Sequence, residues 1–427
     1  MRPRIAAALA AGAALALALT GCGGPGASAG SDPNNPDQVE AITWWASGTE
    51  KTALYDLVAV FREANPELSF IDASVRGGGG AKARQAIAAR LQAGNPPDTF
   101  QAAAGAALTG YVEAGQLQDL TAFYDEHGLR DAYRAALLEL LSVEGRIYSV
   151  PCGIHRVNVL WTNSAVLTRA GLDPAAAPAN IDEWLADLER VRKSGVRYPL
   201  ALGNDWTQVQ LFENVLLADL GAVLYQNLWK STKNWEGKAL AAAIDHYGRL
   251  LEYAAPTSAS REWTDATRTV VEGDAAYIVM ADFALASFQR AGFTTGKQYS
   301  AVPMPGTVGV FDFLADTFTL PEGAVHDRAA RAWLLTVASA EGQKALAAVK
   351  GSIPARTDTV KEDYPPYQQD AIAALQLDTV VPSLAHGVAA APRWTEEITS
   401  AVVQFGKDHR PGPFRKALIA AAKRALG

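Results

Sequence analysis

Cysteine is almost missing from this 427-residue chain, which has only Cys22 and Cys152. With Cys22 committed elsewhere, as argued below, no disulfide can close within the chain, and the core alone must hold the fold. Histidine is scarce as well. The six, His127, His155, His246, His326, His386 and His409, show no metal-ligand spacing with one another or with a cysteine, so the sequence offers no metal site. Charged residues make up 19%, the net charge is -7, and no basic block occurs. That balance argues against a nucleic-acid partner. No H-E-x-x-H, Walker A loop or Rossmann fingerprint is present. One G-x-S-x-G, Gly26 to Gly30, sits in a Gly/Ser/Pro/Asn tract, without the strand and helix that make this motif a nucleophile elbow. Beyond the N-terminus no apolar run approaches membrane-spanning length.

What is present begins with an export signal. MRPR is a positive n-region and IAAALAAGAALALAL an apolar h-region, too short and Ala-rich for a spanning helix. LTGC, Leu19 to Cys22, resembles the bacterial lipoprotein box, in which the cysteine thiol receives diacylglycerol. Residues 1–21 are therefore read as signal peptide, Cys22 as the lipidation site, and 22–37 as a flexible tether. The mature chain is expected outside the cytoplasmic membrane, anchored to it rather than spanning it. Cys152 reads as a small buried apolar residue, not a nucleophile.

From Val39 the pattern is that of an α/β protein. AITWW reads as a strand. Leu54, Leu57, Val58 and Phe61 then form the i, i+3, i+4, i+7 stripe of an amphipathic helix, stopped at Asn65-Pro66. SFIDASV alternates as a second strand, an Ala/Arg helix follows the Gly77–Gly80 run, and TFQ ends a third strand. Parallel crossovers place ligand sites beyond the carboxyl ends of their strands, which puts Trp44, Trp45, the glycine run and Gln101 on one rim. The glycine run lacks a following Gly-Lys-Ser/Thr, so it favours a tight turn or close backbone approach over a phosphate cradle. Later segments give further strands, a loop at Asp205-Trp206 after a strand, and a buried strand from Asp274 that ends at Asp282-Phe283. With 49% hydrophobic residues, the length suffices for two domains.

Aromatic residues recur beside polar ones at these strand ends: Trp44-Trp45 with Glu50, Asp205-Trp206, Asp282-Phe283, and Asp316. A sugar has apolar C–H faces and a hydroxyl rim. Indole rings stack on the faces, and hydrogen bonds from hydroxyls to charged groups contribute about 1.5–3 kcal/mol each. The set points to a carbohydrate cleft. An exported hydrolase with two carboxylates needs no local motif and stays open as the reading of another class.

The segments ITWWASGTE, RGGGGAKAR, GNPPDTFQ, SVPCGIHRVNVLW, PLALGNDWTQ, MADFA, MPGTVGVFDFLADTFTLP, KGSIPAR and VPSLAHGVA, in this order, resemble the extracellular solute-binding proteins of ABC sugar importers, and most closely the glucose/mannose subgroup. The resemblance implies a two-lobed, periplasmic-binding-protein-like (type II) α/β fold with the sugar between the lobes. It implies an N-terminal lobe of 38–156 plus 310–353, a C-terminal lobe of 157–309 plus 354–427, and hinge crossings near Arg156–Val159, Gly306–Val310 and Ser352–Ala355. Matched motif by motif, Trp44 with Trp45 beside it corresponds to the stacking aromatic, Trp263 to a second wall, and Phe283 to a residue that is Trp in the subgroup. Glu50, Gln101, Asp316, Lys350 and His386 correspond to polar sugar contacts. Gly79 and Trp206 are further candidates, and His155, Arg156 and Asp282 more readily brace the hinge. Ala103 stands where the subgroup has His, which with Phe283 enlarges the pocket and leaves a larger saccharide as the alternative. The resemblance also implies a non-enzymatic monomer with no cofactor, partnered by its sugar and the permease subunits, and touching the membrane only through the lipid anchor.

Overall fold

In the computed structural model the described residues are 32–77, 80–257 and 260–427. The signal peptide, Cys22, most of the tether and Gly79 lie outside them. Eleven strands are present among the described residues: β1 (Gln38–Ile42), β2 (Ser69–Asp72), β3 (Thr99–Ala103), β4 (Ser142–Val143), β5 (Arg146–Ile147), β6 (Ser149–Arg156), β7 (Val159–Asn163), β8 (Tyr277–Val279), β9 (Tyr299–Pro303), β10 (Val310–Thr319) and β11 (Thr379–Pro382).

The larger sheet runs β11-β10-β3-β1-β2, with β6 also paired to β10. β1 is parallel to β2 and β3, as expected of strand–helix–strand crossovers. β10 is antiparallel to β3 and to β6, and parallel to β11. β6 covers Phe313–Thr319 on one side, while β11 (at 310–313) and β3 (at 316–319) share the other end to end. A register shift against β6 falls between Asp316 and Thr317, the kind of irregularity that re-aims a side chain beside a site.

The stripe seen in the sequence becomes the helix Gly48–Ala64, with Glu50 in its first turn and Arg62 in its last, each favourably placed in the helix dipole. Its buried face, Ala53, Leu54, Leu57, Val58 and Phe61, packs on the helices Asp327–Ala338 and Ala340–Lys350. Trp333 stands edge-on to Phe61 (5.6 Å between ring centres) and to Phe318 (5.4 Å), arrangements that the aromatic quadrupole favours.

β6 leads through Val157-Asn158 into β7, the middle strand of a second, antiparallel sheet ordered β8-β7-β9. Around it lie the helices Ile181–Lys193, Asp205–Leu228, Lys238–Leu251, Pro392–Asp408 and Pro411–Leu426. Their core includes Phe212, Tyr247, Phe405 and Phe414, with a second group of rings at Trp229, Trp235 and Trp394. The architecture is two-lobed and mixed α/β, with helices flanking both sheets. No helix among the described residues is long and apolar enough to cross a membrane.

Four local expectations are corrected. TFQ opens β3 instead of ending it, so Gln101 lies in mid-strand. Asp205-Trp206 open the long helix Asp205–Leu228 instead of lying in a loop; Asn204 in extended conformation starts the helix there. The strand expected to reach Asp282-Phe283 stops at Val279, and Asp282–Ala284 form a short 3-10 turn. Asp316 lies inside β10, not at a strand end.

Candidate functional site

The site is built where the ends of β1 and β3 meet β10 and β6. Gln101, on β3, donates from Nε2 to Asp316 Oδ1 (3.0 Å). Its Oε1 accepts from the Thr43 hydroxyl and from the Trp44 backbone N–H (3.3 Å). One glutamine thus fixes the strand exit that carries both tryptophans. Thr43 stood in the recognised ITWW segment, but its role needed the β1–β3 pairing.

Past β1 the two tryptophans separate. Trp45 is fully buried, edge-on to Phe318 at 5.8 Å. Trp44 is half-buried, beside Gly80 and Arg84. Gly80 adopts a positive φ of 87°, and a Cβ there would stand 3.0 Å from the Trp44 ring and 2.8 Å from the Arg84 guanidinium. Glycine is therefore required on two counts, backbone conformation and close approach. This is the contact that the glycine run supplies.

Asp316 and Lys350 form the centre. Each is about 2% exposed, and Lys350 Nζ donates to Asp316 Oδ2. Lys350 Nζ also lies 4.7 Å from the centre of the Trp45 ring and 5.9 Å from that of Phe283, within cation–π range. His155, on β6, completes the group. Its Nδ1 meets the Asp282 carboxylate, and its Nε2 lies 3.2 Å from Asp316 Oδ2 and 2.8 Å from Lys350 Nζ. Asp282 also accepts the Arg156 backbone N–H at 2.9 Å. His155 and Asp282 therefore tie β6 to the turn that carries Phe283.

Electrostatics follow from this packing. Burial by itself would raise the Asp316 carboxyl, but Lys350 and His155 hold it well below the usual carboxylate range. Burial would lower Lys350, yet Asp316 and then Glu50 keep it above its ordinary value. Burial and Lys350 push the His155 imidazole down, and Asp282 and Asp316 more than reverse this. Glu50 is different. Burial pushes its carboxyl up to about 7, with Lys350 opposing and Asp316 reinforcing the shift. Burial, opposed by Asp316, takes His386 down to about 3, so it is a neutral ring at physiological pH.

The far wall comes from the other lobe. Trp263 begins the helix Trp263–Glu272 and stands 4.8 Å from Phe283, edge-on. Trp206 lies 6.2 Å from Phe283 and 5.5 Å from His386. The Trp206 indole N–H and His386 Nε2 are buried with no protein hydrogen-bond partner among the described residues. Ala103 pairs with Asp316 across β3 and β10. The sequence-selected residues Trp44, Glu50, Gln101, Trp206, Trp263, Asp282, Phe283, Asp316, Lys350, His155 and His386 thus form one neighbourhood, with Trp45 behind it as the packing surface under Lys350. Glu262, which contributes to the field at Glu50, was passed over although it precedes Trp263 in REWTDA.

Cys152 is buried and free, with its Sγ 3.2 Å from the Asp316 carbonyl oxygen and its thiol pushed well up by burial. No group of three or more metal-ligating side chains occurs among the described residues.

The chain is similar to known proteins. The family described as bacterial extracellular solute-binding protein matches residues 45–344. An uncharacterized ABC transporter extracellular-binding protein of Pyrococcus horikoshii is 30% identical over 419 residues, covering 96% of this chain and 94% of the relative. A probable sugar-binding periplasmic protein of Mesorhizobium japonicum is 32% identical over 376 residues, covering 86% and 88%. Among solved structures, a bacterial solute receptor described as having an exclusive preference for β-D-galactopyranose superposes with a TM-score of 0.78 at 17% identity, over 91% of this chain and 98% of that one.

Proposed function

Because the chain belongs to the bacterial extracellular solute-binding protein family, we propose that it is the sugar receptor of an ABC importer, binding one monosaccharide between its lobes, with glucose or mannose the first choice. The observation that carries this reading is the enclosed constellation of Gln101, Asp316 and Lys350, each 2% exposed or less, beneath Trp44, Trp263 and Phe283. Rings supply surfaces for the C–H faces of a pyranose. Asp316, Lys350 and Glu50 bond hydroxyls, and the unpartnered nitrogens of Trp206 and His386 offer two more positions. A site with this many buried polar groups favours a ligand that pairs with each of them and rejects one that leaves them bare. Enclosure on both sides favours a single ring, and the small Ala103 and the Phe283 ring, where the subgroup has His and Trp, keep a larger saccharide as the alternative.

In this reading residues 38–156 with 310–353 form one lobe and 157–309 with 354–427 the other, and they close about the sugar at the crossings near 156–159, 306–310 and 352–355. Closure draws on the higher affinity of the sugar for the closed state. Cys22 carries the lipid that holds the monomer at the outer face of the cytoplasmic membrane, and the closed form hands its sugar to the permease. The receptor reading is also favoured over hydrolysis by the engagement of both Asp316 oxygens with Gln101, Lys350 and His155, which leaves that carboxylate poorly disposed as a nucleophile. An oligosaccharide incubated with the protein should be recovered intact.

The test is calorimetric titration of the protein with D-glucose, followed by mannose, galactose and disaccharides. Saturation near one site per chain with a monosaccharide is expected. Binding confined to disaccharides would overturn the single-ring reading, and no binding of any sugar by folded protein would overturn the receptor assignment.

A further inference from the structure

A second carboxyl pair is buried away from the sugar constellation, where the two lobes join. Glu213 on the helix Asp205–Leu228 and Asp312 near the start of β10 are both completely buried. Glu213 accepts from the Ser383 hydroxyl (3.0 Å) and the Ala385 N–H (2.7 Å). Neither carboxyl oxygen of Asp312 has a well-formed hydrogen bond among the described residues; the Phe313 backbone N–H lies beside the carboxyl, and the side chain that faces it is the Glu213 carboxyl.

The pair sits where separate stretches of chain converge. The Asp312 N–H donates to Asn158 Oδ1 (3.1 Å), and the Val157 N–H donates to the Asp312 carbonyl (2.8 Å). Asn158 Nδ2 donates to Thr307 Oγ1 and to the Val310 carbonyl, both at 2.9 Å. β11 pairs Val381 with Asp312, and Ser383 and Ala385 follow directly. Segments 156–159, 307–312 and 381–385 thus meet at one point, with Glu213 entering from the long helix.

Among the described residues no cation forms an ion pair with either carboxyl. Arg156 acts on Asp312 electrostatically, but its guanidinium is committed to the Val310 carbonyl (2.7 Å), Asp378 (3.1 Å) and Asn158 Oδ1 (3.2 Å). Tyr225, the other titratable group facing the pair, is a neutral phenol whose hydroxyl donates to the Pro382 carbonyl at 3.0 Å. Two ionised carboxylates in contact inside a protein repel strongly, so such a pair retains a proton between them. The side-chain donor that Asp312 lacks is then supplied by the carboxyl–carboxylate hydrogen bond itself.

We propose that Glu213 and Asp312 share one proton and act as a proton-dependent lock at the joint between the lobes. When the proton leaves, two adjacent buried charges force the helix Asp205–Leu228 away from β10, and the joint loosens. Burial raises both groups, and for Asp312 the neighbouring Glu213 adds to it, while Glu213 itself stands at about 7. A carboxyl raised in the folded state contributes stability that is complete at acid pH and is lost as pH rises through the folded value. The stability it contributes is therefore lost progressively from the unfolded carboxyl value of about 4 up to the raised value of the pair, whose last proton is held beyond the first release at about 7.

The test uses ligand-free protein, so it stands or falls independently of the sugar assignment. Thermal midpoints are measured from pH 5 to 9 for the protein and for Asp312→Asn and Glu213→Gln, all carrying Glu50→Gln so that Glu50 does not contribute. The expected result is a midpoint that falls by several degrees toward alkaline pH in the parent and a flatter profile in both variants. The infrared spectrum of the parent at pH 8 should hold a protonated-carboxyl stretch that is lost at higher pH. Parallel midpoint profiles overturn the proposal. Should the variants fail to fold, absence of the infrared band from the parent at pH 8 overturns it alone.

Discussion

Replacing Lys350 with methionine removes one charge from the centre of the site while nearly keeping the volume. The ammonium is lost from a pocket where it bonds Asp316 and faces the rings of Trp45 and Phe283. Asp316 is left as a buried carboxylate held by Gln101 and His155 alone. Breaking one side of a buried pair costs about 3–5 kcal/mol in general. The two surviving partners reduce that here, so about 2–3 kcal/mol is expected, which is roughly 4–12 °C in the thermal midpoint for lobes of this size. Asp316→Asn should also destabilise, and the double variant should be more stable than the sum of the singles by about 1–2 kcal/mol, because the unpaired charge is gone. Chemical denaturation of all four proteins completes the cycle. The pH dependence has a definite sign. The Asp316 carboxyl is lowered in the fold, so its stabilisation is present above the unfolded value of about 4 and is lost as pH falls below it. In Lys350→Met that loss on the acid side should shrink. Additivity of the two single variants within about 0.5 kcal/mol, with an unchanged acid limb, would refute the pairing argument.

Other perturbations separate binding from folding. Trp44→Ala removes a half-buried ring from the cleft and should weaken sugar binding by about 2 kcal/mol or more, roughly 30-fold, in a calorimeter; an unchanged affinity would remove Trp44 from the site. Gly80→Ala strains a left-handed residue and drives its Cβ into the Trp44 ring. It should lower both the affinity and the unfolding midpoint, and wild-type affinity would show that the contact is not needed for binding. Glu50, with its carboxyl at about 7, accepts sugar hydroxyls best when ionised, so affinity should rise as pH increases from 6 to 8. Glu50→Gln should flatten that profile, and a profile that survives in the variant would assign the titration to another group.

The amphipathic stripe of Leu54, Leu57, Val58 and Phe61 announced its helix because period and burial agree along one continuous segment. The proximity of Trp44, Gln101 and Gly80 was legible for a related reason: parallel crossovers bring neighbouring strands and the turns after them together whatever the details of packing. The family motifs single out Asp316, Lys350 and His386, but motifs do not specify spatial neighbours. Asp205-Trp206 was misjudged because a polar, Gly-Asn-preceded dipeptide looks the same at a loop and at a helix start. Asp282-Phe283 was placed on a strand because the apolar run before it is equally compatible with a strand that stops early.

What the amino-acid order determined by itself was therefore local: the alternation of strands and helices, and the supply of rings and carboxylates. Which charges meet was decided by the tertiary structure. Gln101 and Asp316 are separated by 215 positions, and His155 and Lys350 by 195. The opposite directions taken by the Glu50 and Asp316 carboxyls depend on where Lys350 comes to rest, which no local pattern encodes. The same holds for the sorting of Trp45 into the core and Trp44 into the cleft, and for Glu213 against Asp312. Electrostatic and packing energies depend on distance and burial in space, and neighbours along the chain fix neither.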